Sequence, residues 1–371
     1  MDIGVPKECK PLEYRVGLSP AVVRTLTDKG HRVVVETGCG DGSGFSDDDY
    51  RQAGAQVLAT AAEIYAAATL IVKVKEPQPQ EYPLLSEKHT LFTYLHLAAA
   101  PQLTGELLAR GCTAIAYETV TDDEGHLPLL TPMSRIAGRM AAQVGAHYLE
   151  KPHGRGVLMS GVDGAPAANV VILGGGNVGS QAAATALGMG ANVTLFDAVE
   201  ARIAQLNQQF DGAIRCAVAD PHEVEKAVLA ADLVIGSVLI PGAATPVLVS
   251  ESVVARMASG AVLVDVAIDQ GGCFATSKTT HLDDPVFVQS DVIHYCVSNM
   301  PSAVSRTSTL ALNQMTGPWV LAMAEQGVEK ALANSVHLQR GVNIFRGKIV
   351  HPAVAEALGK TVHTLELSSL A

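Results

Sequence analysis

The chain has 371 residues, of which 48% are hydrophobic, 17% charged and only 4% aromatic, with 34 glycines. This length and apolar content predict one large or two smaller packed domains, and exclude disorder, a collagen-like repeat and a small disulfide-stapled scaffold. With 26 Lys+Arg against 37 Asp+Glu, the net charge of −11 argues against nucleic acid or an anionic membrane as partner.

Residues 3–5 open a series of short β-branched runs. Ser19-Pro20 reads as a helix start, with Val22, Val23 and Leu26 on one face and Gly30 as the stop. Strands are predicted at 32–36, 70–74, 90–95 and 113–117, the spacing of β/α units. A helix without a turn signal is predicted over 130–150. A second series starts near Pro166, with strands at 169–173, 192–196, 214–218, 232–236 and 261–266. The uncharged stretch 164–196 has the length of a membrane span, but seven glycines and a strand-turn-helix pattern mark it as soluble. After Asn299 the pattern turns helical, and Gly317-Pro318 predicts a kink or break. The alternation predicts an α/β fold of two Rossmann-like domains with mainly parallel sheets. The expected layout is a nucleotide-binding domain at 131–303, inserted between residues 1–130 and 304–371 of a substrate domain. The start, MDIGVPKECK, lacks the apolar core of a signal peptide, and six scattered cysteines without a CxxC pair read as reduced thiols. Both point to the cytoplasm.

The strongest local signal is NVVILGGGNVGSQAAATALGMGANVTLFD. An apolar strand runs into Gly174-x-Gly176-x-x-Gly179, an alanine-rich helix follows, and a second strand ends at Asp197. Gly174 suits a tight turn, Gly176 a close approach of backbone to a pyrophosphate, and Gly179 close helix packing, with Asn177 and Val178 completing the loop. The helix N-terminus then offers free N–H groups to phosphates. Asp197 stands where a carboxylate accepts from ribose hydroxyls and repels a 2′-phosphate, which favours NAD over NADP. Arg202 follows closely, within reach of a 2′-phosphate or the adenine.

Four further segments carry polar residues in apolar surroundings. Arg15 follows Glu13-Tyr14 just before a helix, a position from which a guanidinium clamps a carboxylate or simply meets solvent. Lys73 and Lys75 lie two apart at a strand end, which places both on one face. His96, in LFTYLHL, is either a core histidine or a general acid/base. Asp265 and Asp269 flank another strand end, as turn caps or as proton-transfer groups. No grouping has metal-ligand spacing, so no metal is predicted.

Taken together, these segments resemble the alanine dehydrogenase/pyridine nucleotide transhydrogenase family over essentially the whole chain. The matching pieces are GVPKE, ExRV with Arg15, GxGxGS at 38–43, VKVKEP with Lys75, FTYLHLA with His96 and AYETV at 116–120. PMSxxAGR at 132–139, the glycine fingerprint, DxAIDQGGCF at 265–274 and YCVxNMP at 295–301 continue the order. The resemblance to alanine dehydrogenases implies reversible oxidative deamination of L-alanine to pyruvate and ammonium with NAD. It also implies a homohexamer whose two-domain subunits hold the site in an interdomain cleft. By the resemblance, Arg15 and Lys75 hold the substrate, and His96 and Asp269 are the acid/base groups. Met133 and Ser134 then touch the nicotinamide end or the pyrophosphate. Val238, Leu239, Val266, Ala267, Ile268, Asp269, Val297, Ser298, Asn299 and Met300 line the cofactor. One departure is Ala219, beside Asp220, where some relatives carry a serine near the adenosine. Competing readings are the NAD-binding component of a proton-translocating transhydrogenase, which shares the LIPG stretch at 239–242, a saccharopine- or lysine-type dehydrogenase, and an NAD-responsive binding protein.

Overall fold

The computed structural model describes residues 1–238 and 245–367. Leu239 and the rest of the LIPG stretch lie outside the described residues. The chain divides into two compact units, Met1–Pro132 with Val304–Ala371, and Met133–Ala303.

Six strands come first: β1 (Asp2–Val5), β2 (Arg32–Glu36), β3 (Gln56–Leu58), β4 (Leu70–Val72), β5 (Thr90–Thr93) and β6 (Thr113–Ala116). Seven follow: β7 (Asn169–Leu173), β8 (Asn192–Asp197), β9 (Arg215–Val218), β10 (Leu233–Gly236), β11 (Val262–Asp265), β12 (Val286–Gln289) and β13 (Val292–Tyr295). Last come β14 (Val342–Phe345) and β15 (Lys348–Ile349). The first unit holds one sheet in the order β3-β2-β1-β4-β5-β6-β14-β15, parallel from β3 to β6 and antiparallel at β14 and β15. The second holds β9-β8-β7-β10-β11-β13-β12, parallel except for β12.

Both sheets are covered on their two faces, which is why their inner strands are unbroken apolar runs rather than alternating ones. Val33, Val34 and Val35, Leu70, Ile71 and Val72, and Leu233, Val234 and Ile235 are all buried. Each such side chain withdrawn from water contributes about 1.5–3 kcal/mol. In each sheet the third, second and first strands run one way across the sheet and the fourth and fifth continue on the other side of the first. The order therefore reverses between β1 and β4, and again between β7 and β10. Beyond the carboxyl ends of strands at such a point lies the usual ligand crevice.

Several expectations are revised. The strands predicted at 70–74 and 90–95 end at Val72 and Thr93. Past those points carboxylates take over backbone N–H groups: Glu8 accepts from Val74 at 2.6 Å and Glu118 from Leu95 at 3.2 Å. Gly317-Pro318 does not break the last long helix, which runs unbroken over Ser305–Gln326 with Pro318 inside it. That helix is tied to the start of the chain by Asn313, whose Oδ1 accepts from Ser19 N at 2.5 Å and whose Nδ2 donates to Gly17 O at 2.9 Å. Ser19 is the N-cap of the helix Pro20–Asp28 but makes no side-chain cap bond. Strands β3 and β12 to β15 carry too little periodic signal to stand out from their turns in the sequence. No helix among the described residues is long and apolar enough to cross a membrane.

Candidate active site

In the first unit the polar candidates gather at the carboxyl edge of the sheet. Arg15 is buried, and its guanidinium forks onto Glu13: Nε donates to Oε1 at 2.7 Å and a terminal nitrogen to Oε2 at 2.6 Å. The reading of Arg15 as a surface residue is therefore excluded. A buried pair of this kind is strongly destabilised when one partner is removed, by about 3–5 kcal/mol, because the other charge stays behind.

Lys73 and Lys75 have opposite environments. Since β4 stops at Val72, strand alternation no longer places both side chains on one face. Lys73 is fully buried and paired with Glu8 Oε2 at 3.2 Å and Glu81 Oε1 at 3.1 Å. Its charge is spent within the protein. Lys75 is half-buried, and among the described residues its ammonium makes no hydrogen bond or ion pair. Burial, then the neighbouring Arg15 and Lys10 cations, hold its pKa below the ordinary lysine value. A desolvated cation beside a second cation is a ready anion site. Glu76, next in the chain, is neutralised by Lys10 at 2.6 Å and so leaves Lys75 available.

His96 sits beyond β5 in a left-handed conformation (φ 51°, ψ 40°). Such a backbone is unusual for a residue with a Cβ and persists only where surroundings enforce it. Here Glu118, just past β6, does so by accepting from His96 N at 2.6 Å and from Leu95 N. The same carboxylate faces His96 Nδ1 at 3.8 Å. The imidazole lies parallel to the Tyr94 ring, and the Tyr94 hydroxyl donates to Leu129 O at 2.6 Å. The side chain is 51% exposed, so His96 is not a core histidine.

In the second unit the parallel strands β7, β8, β10, β11 and β13 bring the other candidates to one edge. Gly174 has φ +100°, a conformation that favours glycine, and its missing Cβ leaves room for Val238 N, which a Cβ would approach to 2.9 Å. A Cβ on Gly179 would stand 1.8 Å from Gly174 O, so the helix Asn177–Gly188 can start this close only with glycine there. At Gly176 a Cβ would meet nothing within 4 Å. The loop thus leaves an open cradle at a helix N-terminus, a fit for pyrophosphate. Asp197 accepts from Gly175 N at 2.6 Å and Val199 N at 2.9 Å, which holds its carboxylate against the loop. Arg202 Nε donates to Gly175 O at 2.8 Å, so it braces the same turn. Ala219 N donates to Asp197 O, and Asp220 caps the helix Pro221–Leu229.

The two aspartates past β11 separate as the lysines do. Asp265 is buried and accepts from Ala267 N, Cys273 N and Ser277 Oγ at 3.1, 2.8 and 2.5 Å. It holds the turn together. Asp269 is exposed on the single 3-10 turn Ile268–Gln270 and makes no hydrogen bond or ion pair among the described residues. Val266 and Ala267 are half-buried between them, whereas Ile268 is buried. Past β13, Val297 is buried, Ser298 donates to Thr280 O, and Asn299 takes a left-handed φ of 60° before the buried Met300. Met133 and Ser134 stand in the first turn of the helix Thr131–Leu149. Further along that helix, a Cβ on Gly138 would lie 2.1 Å from Val178 O, and Arg139 Nε donates to Gln181 at 2.9 Å. The helix therefore packs directly on the fingerprint loop.

Sequence reasoning assigned no role to Glu8, Glu13, Glu118 or Gly138. All four lie in segments it had singled out, yet their roles depend on partners elsewhere in the chain.

Two family models match the chain in succession. The family model described as "Alanine dehydrogenase/PNT, N-terminal domain" matches residues 4–137, and "Alanine dehydrogenase/PNT, C-terminal domain" matches residues 141–352. The chain is 51% identical over 360 residues to an alanine dehydrogenase of Halomonas elongata, covering 97% of each. It is 50% identical over 359 residues to one of Mycolicibacterium smegmatis, covering 96% of this chain and 97% of that protein. Among solved structures, an L-alanine dehydrogenase matches with a TM-score of 0.94 and 50% identity over 97% of this chain and 99% of that one. A transhydrogenase from Sinorhizobium meliloti matches with a TM-score of 0.81 and 26% identity over 95% of this chain and 100% of that one.

Proposed function

The chain belongs to the alanine dehydrogenase/PNT family, and from that premise we propose that it catalyses the reversible NAD-dependent oxidative deamination of L-alanine to pyruvate and ammonium. It is an oxidoreductase of the alanine dehydrogenase type, and its cofactor is NAD. The observation that carries the substrate assignment is Lys75: a half-buried ammonium with no hydrogen bond or ion pair among the described residues, beside Arg15, in a chain of net charge −11. An acidic protein that keeps such a cation unspent has a local use for an anion. Alanine and pyruvate each bring a carboxylate.

In this reading Arg15 and Lys75 hold the substrate carboxylate and the keto oxygen. Fixing both ends of so small a molecule supplies the orientation that a bimolecular step lacks. His96 and Asp269 are the acid/base groups: a base takes a proton from nitrogen as the imine forms and another from the water that adds to it, and an acid returns one to nitrogen as the carbinolamine collapses to pyruvate and releases ammonia. Glu118 keeps the His96 ring aimed. The loop of Gly174, Gly176, Asn177, Val178 and Gly179 cradles the pyrophosphate, Asp197 receives the ribose hydroxyls, and Arg202 steadies the turn. Met133, Ser134, Val238, Val266, Ala267, Ile268, Val297, Ser298, Asn299 and Met300 are the remaining cofactor-facing candidates. When bound, NAD accepts the hydride that leaves the alanine Cα. The same reading assigns residues 131–303 to the nucleotide and the flanking parts to the substrate, and places the enzyme in the cytoplasm as a homohexamer.

The transhydrogenase alternative is less favoured, since that structure is 26% identical whereas the alanine dehydrogenases are near 50% over almost the full chain. The test is to mix the protein with NADH, pyruvate and ammonium and follow the loss of absorbance, then repeat with glyoxylate and 2-oxobutyrate. Turnover with pyruvate is expected. Absence of turnover with every oxoacid sinks the dehydrogenase reading.

A further inference from the structure

At the point where the first sheet reverses order, a buried cluster of charges joins the exits of β1 and β4. Glu8 is the hub. Its Oε2 accepts from Lys73 Nζ at 3.2 Å, and its Oε1 accepts from Val74 N at 2.6 Å and Lys75 N at 3.4 Å. Lys73 also pairs with Glu81, whose Oε1 accepts from Tyr65 at 2.9 Å. Glu81 Oε2 accepts from Gln78 N at 2.8 Å and from Cys9 Sγ at 3.1 Å. The substrate-binding role drawn for Lys75 leaves this cluster unused, although it bonds the backbone on either side of that residue. The backbone just before Lys75 is tied to Glu8 and the backbone three residues after it to Glu81. Lys73 holds the two carboxylates together and compensates their burial.

The arrangement has the form of a support for a charged ligand-binding side chain. The segment that carries Lys75 lies past the regular ladder of β4: Tyr94 N still donates to Val74 O at 3.2 Å and Thr93 Oγ1 to Lys75 O at 3.0 Å, but the N–H groups of Val74 and Lys75 turn to Glu8 instead of to β5. A carboxylate oxygen accepting an N–H is among the stronger hydrogen bonds, because the acceptor is charged. Side chains that act on a ligand need their backbone held to a fraction of an ångström, and buried hydrogen bonds behind them supply that.

We propose that Glu8 is a positioning residue for Lys75: its carboxylate, held by Lys73, fixes the backbone from which the Lys75 ammonium reaches the substrate. This rests on the substrate role given to Lys75 above. Glu8 itself touches no substrate. Its reach to Val74 N is therefore the first requirement, and its charge strengthens the bond made there.

Two substitutions separate length from charge. Glu8→Asp keeps the carboxylate but withdraws it by one methylene from Val74 N. Glu8→Gln keeps the reach and an acceptor oxygen but loses the charge. In reductive amination, Glu8→Asp is expected to raise the KM for pyruvate at least tenfold, with the NADH dissociation constant within twofold of the parent. Glu8→Gln should be milder, with a KM at least threefold below that of Glu8→Asp. A parental KM in Glu8→Asp overturns the proposal, as does greater damage in Glu8→Gln or a parallel loss of NADH affinity. If Glu8→Asp does not fold, Glu8→Gln decides alone: a KM rise between about twofold and tenfold with parental NADH affinity supports the proposal, and a parental KM or a larger rise overturns it. Lys75→Met tests the premise separately. Parental kinetics there remove the substrate role of Lys75 and the proposal with it, whereas an inactive Lys75→Met alongside a parental Glu8→Asp removes only the role of Glu8.

Discussion

In the proposed reading, the working groups at the carboxyl edge of the first sheet are polar side chains, Arg15, Lys75 and His96. At the same edge of the second they are backbone N–H groups around three glycines, steadied by Asp197. The strand order is shared, so topology provides the crevice in both units and the loop residues decide what it suits. The costs differ accordingly. Charged side chains taken from water need counter-charges, and the first unit supplies them in Glu13 for Arg15 and in Glu8 and Glu81 for Lys73. A phosphate cradle built from backbone needs no buried ion pair, but it tolerates no Cβ where the helix meets the loop.

Substitutions on the two sides should therefore fail differently. The largest effect is expected for His96→Ala, which should lower turnover about 10²–10⁴-fold, the usual worth of a positioned proton-transfer group. NADH binding, measured by fluorescence, should persist because the nucleotide loop lies in the other unit. Near-normal turnover would show that His96 carries no proton.

Asp197→Ala attacks the second edge and should act on affinity. The carboxylate holds Gly175 N and Val199 N, and hydrogen bonds to a charged group are each worth about 1.5–3 kcal/mol. NADH affinity is expected to fall about 10- to 100-fold, since 1.4 kcal/mol is one decade. NADPH should lose less, because a repulsive charge leaves as well, so the preference for NAD narrows. An unchanged NADH-to-NADPH ratio in titrations would rule out Asp197 as the selector.

The contrast also explains what was readable in advance. The candidate nucleotide edge is local in sequence: strand, glycines, helix and Asp197 fall within one continuous stretch, and Gly174 and Gly179 have mechanical reasons there. The buried β-branched runs were legible for the same reason, since a strand covered on both faces needs only its own apolar residues. The candidate substrate edge is made by pairs distant along the chain. Lys73 and Lys75 are the same residue two positions apart, and only Glu8 and Glu81 decide that one is internal and the other available. Asp265 and Asp269 are divided likewise by Cys273 N and Ser277. Periodicity shows which face a residue takes while the strand lasts. It does not show where a carboxylate will take over a backbone N–H past the strand, as Glu8 does at Val74 and Glu118 at Leu95.

The smallest expected effect concerns stability, and here the units are alike. Each buries one histidine in a defined neutral form. His89 Nδ1 accepts from Ser86 N at 2.9 Å, so its proton is on Nε2, facing Tyr65 O at 2.8 Å. His294 Nδ1 faces Val292 O at 3.0 Å and so carries the proton, leaving Nε2 to accept from Thr276 at 2.7 Å. Burial lowers both pKa values below the ordinary 6.5. With the folded value depressed, the unfolded chain takes up the proton first as pH falls, so folding stability declines below the unfolded value, by at most about 1.4 kcal/mol per pH unit for each histidine. The carboxyls of Glu8 and Glu36, pushed up chiefly by burial, work with the opposite sign, because the folded state keeps their proton to higher pH. Urea midpoints at pH 7.5 and 5.5 separate these contributions. His89→Gln and His294→Gln are each expected to lower stability at pH 7.5 and to shrink its further loss at pH 5.5. A loss of unchanged size in both variants would assign the acid sensitivity to other groups.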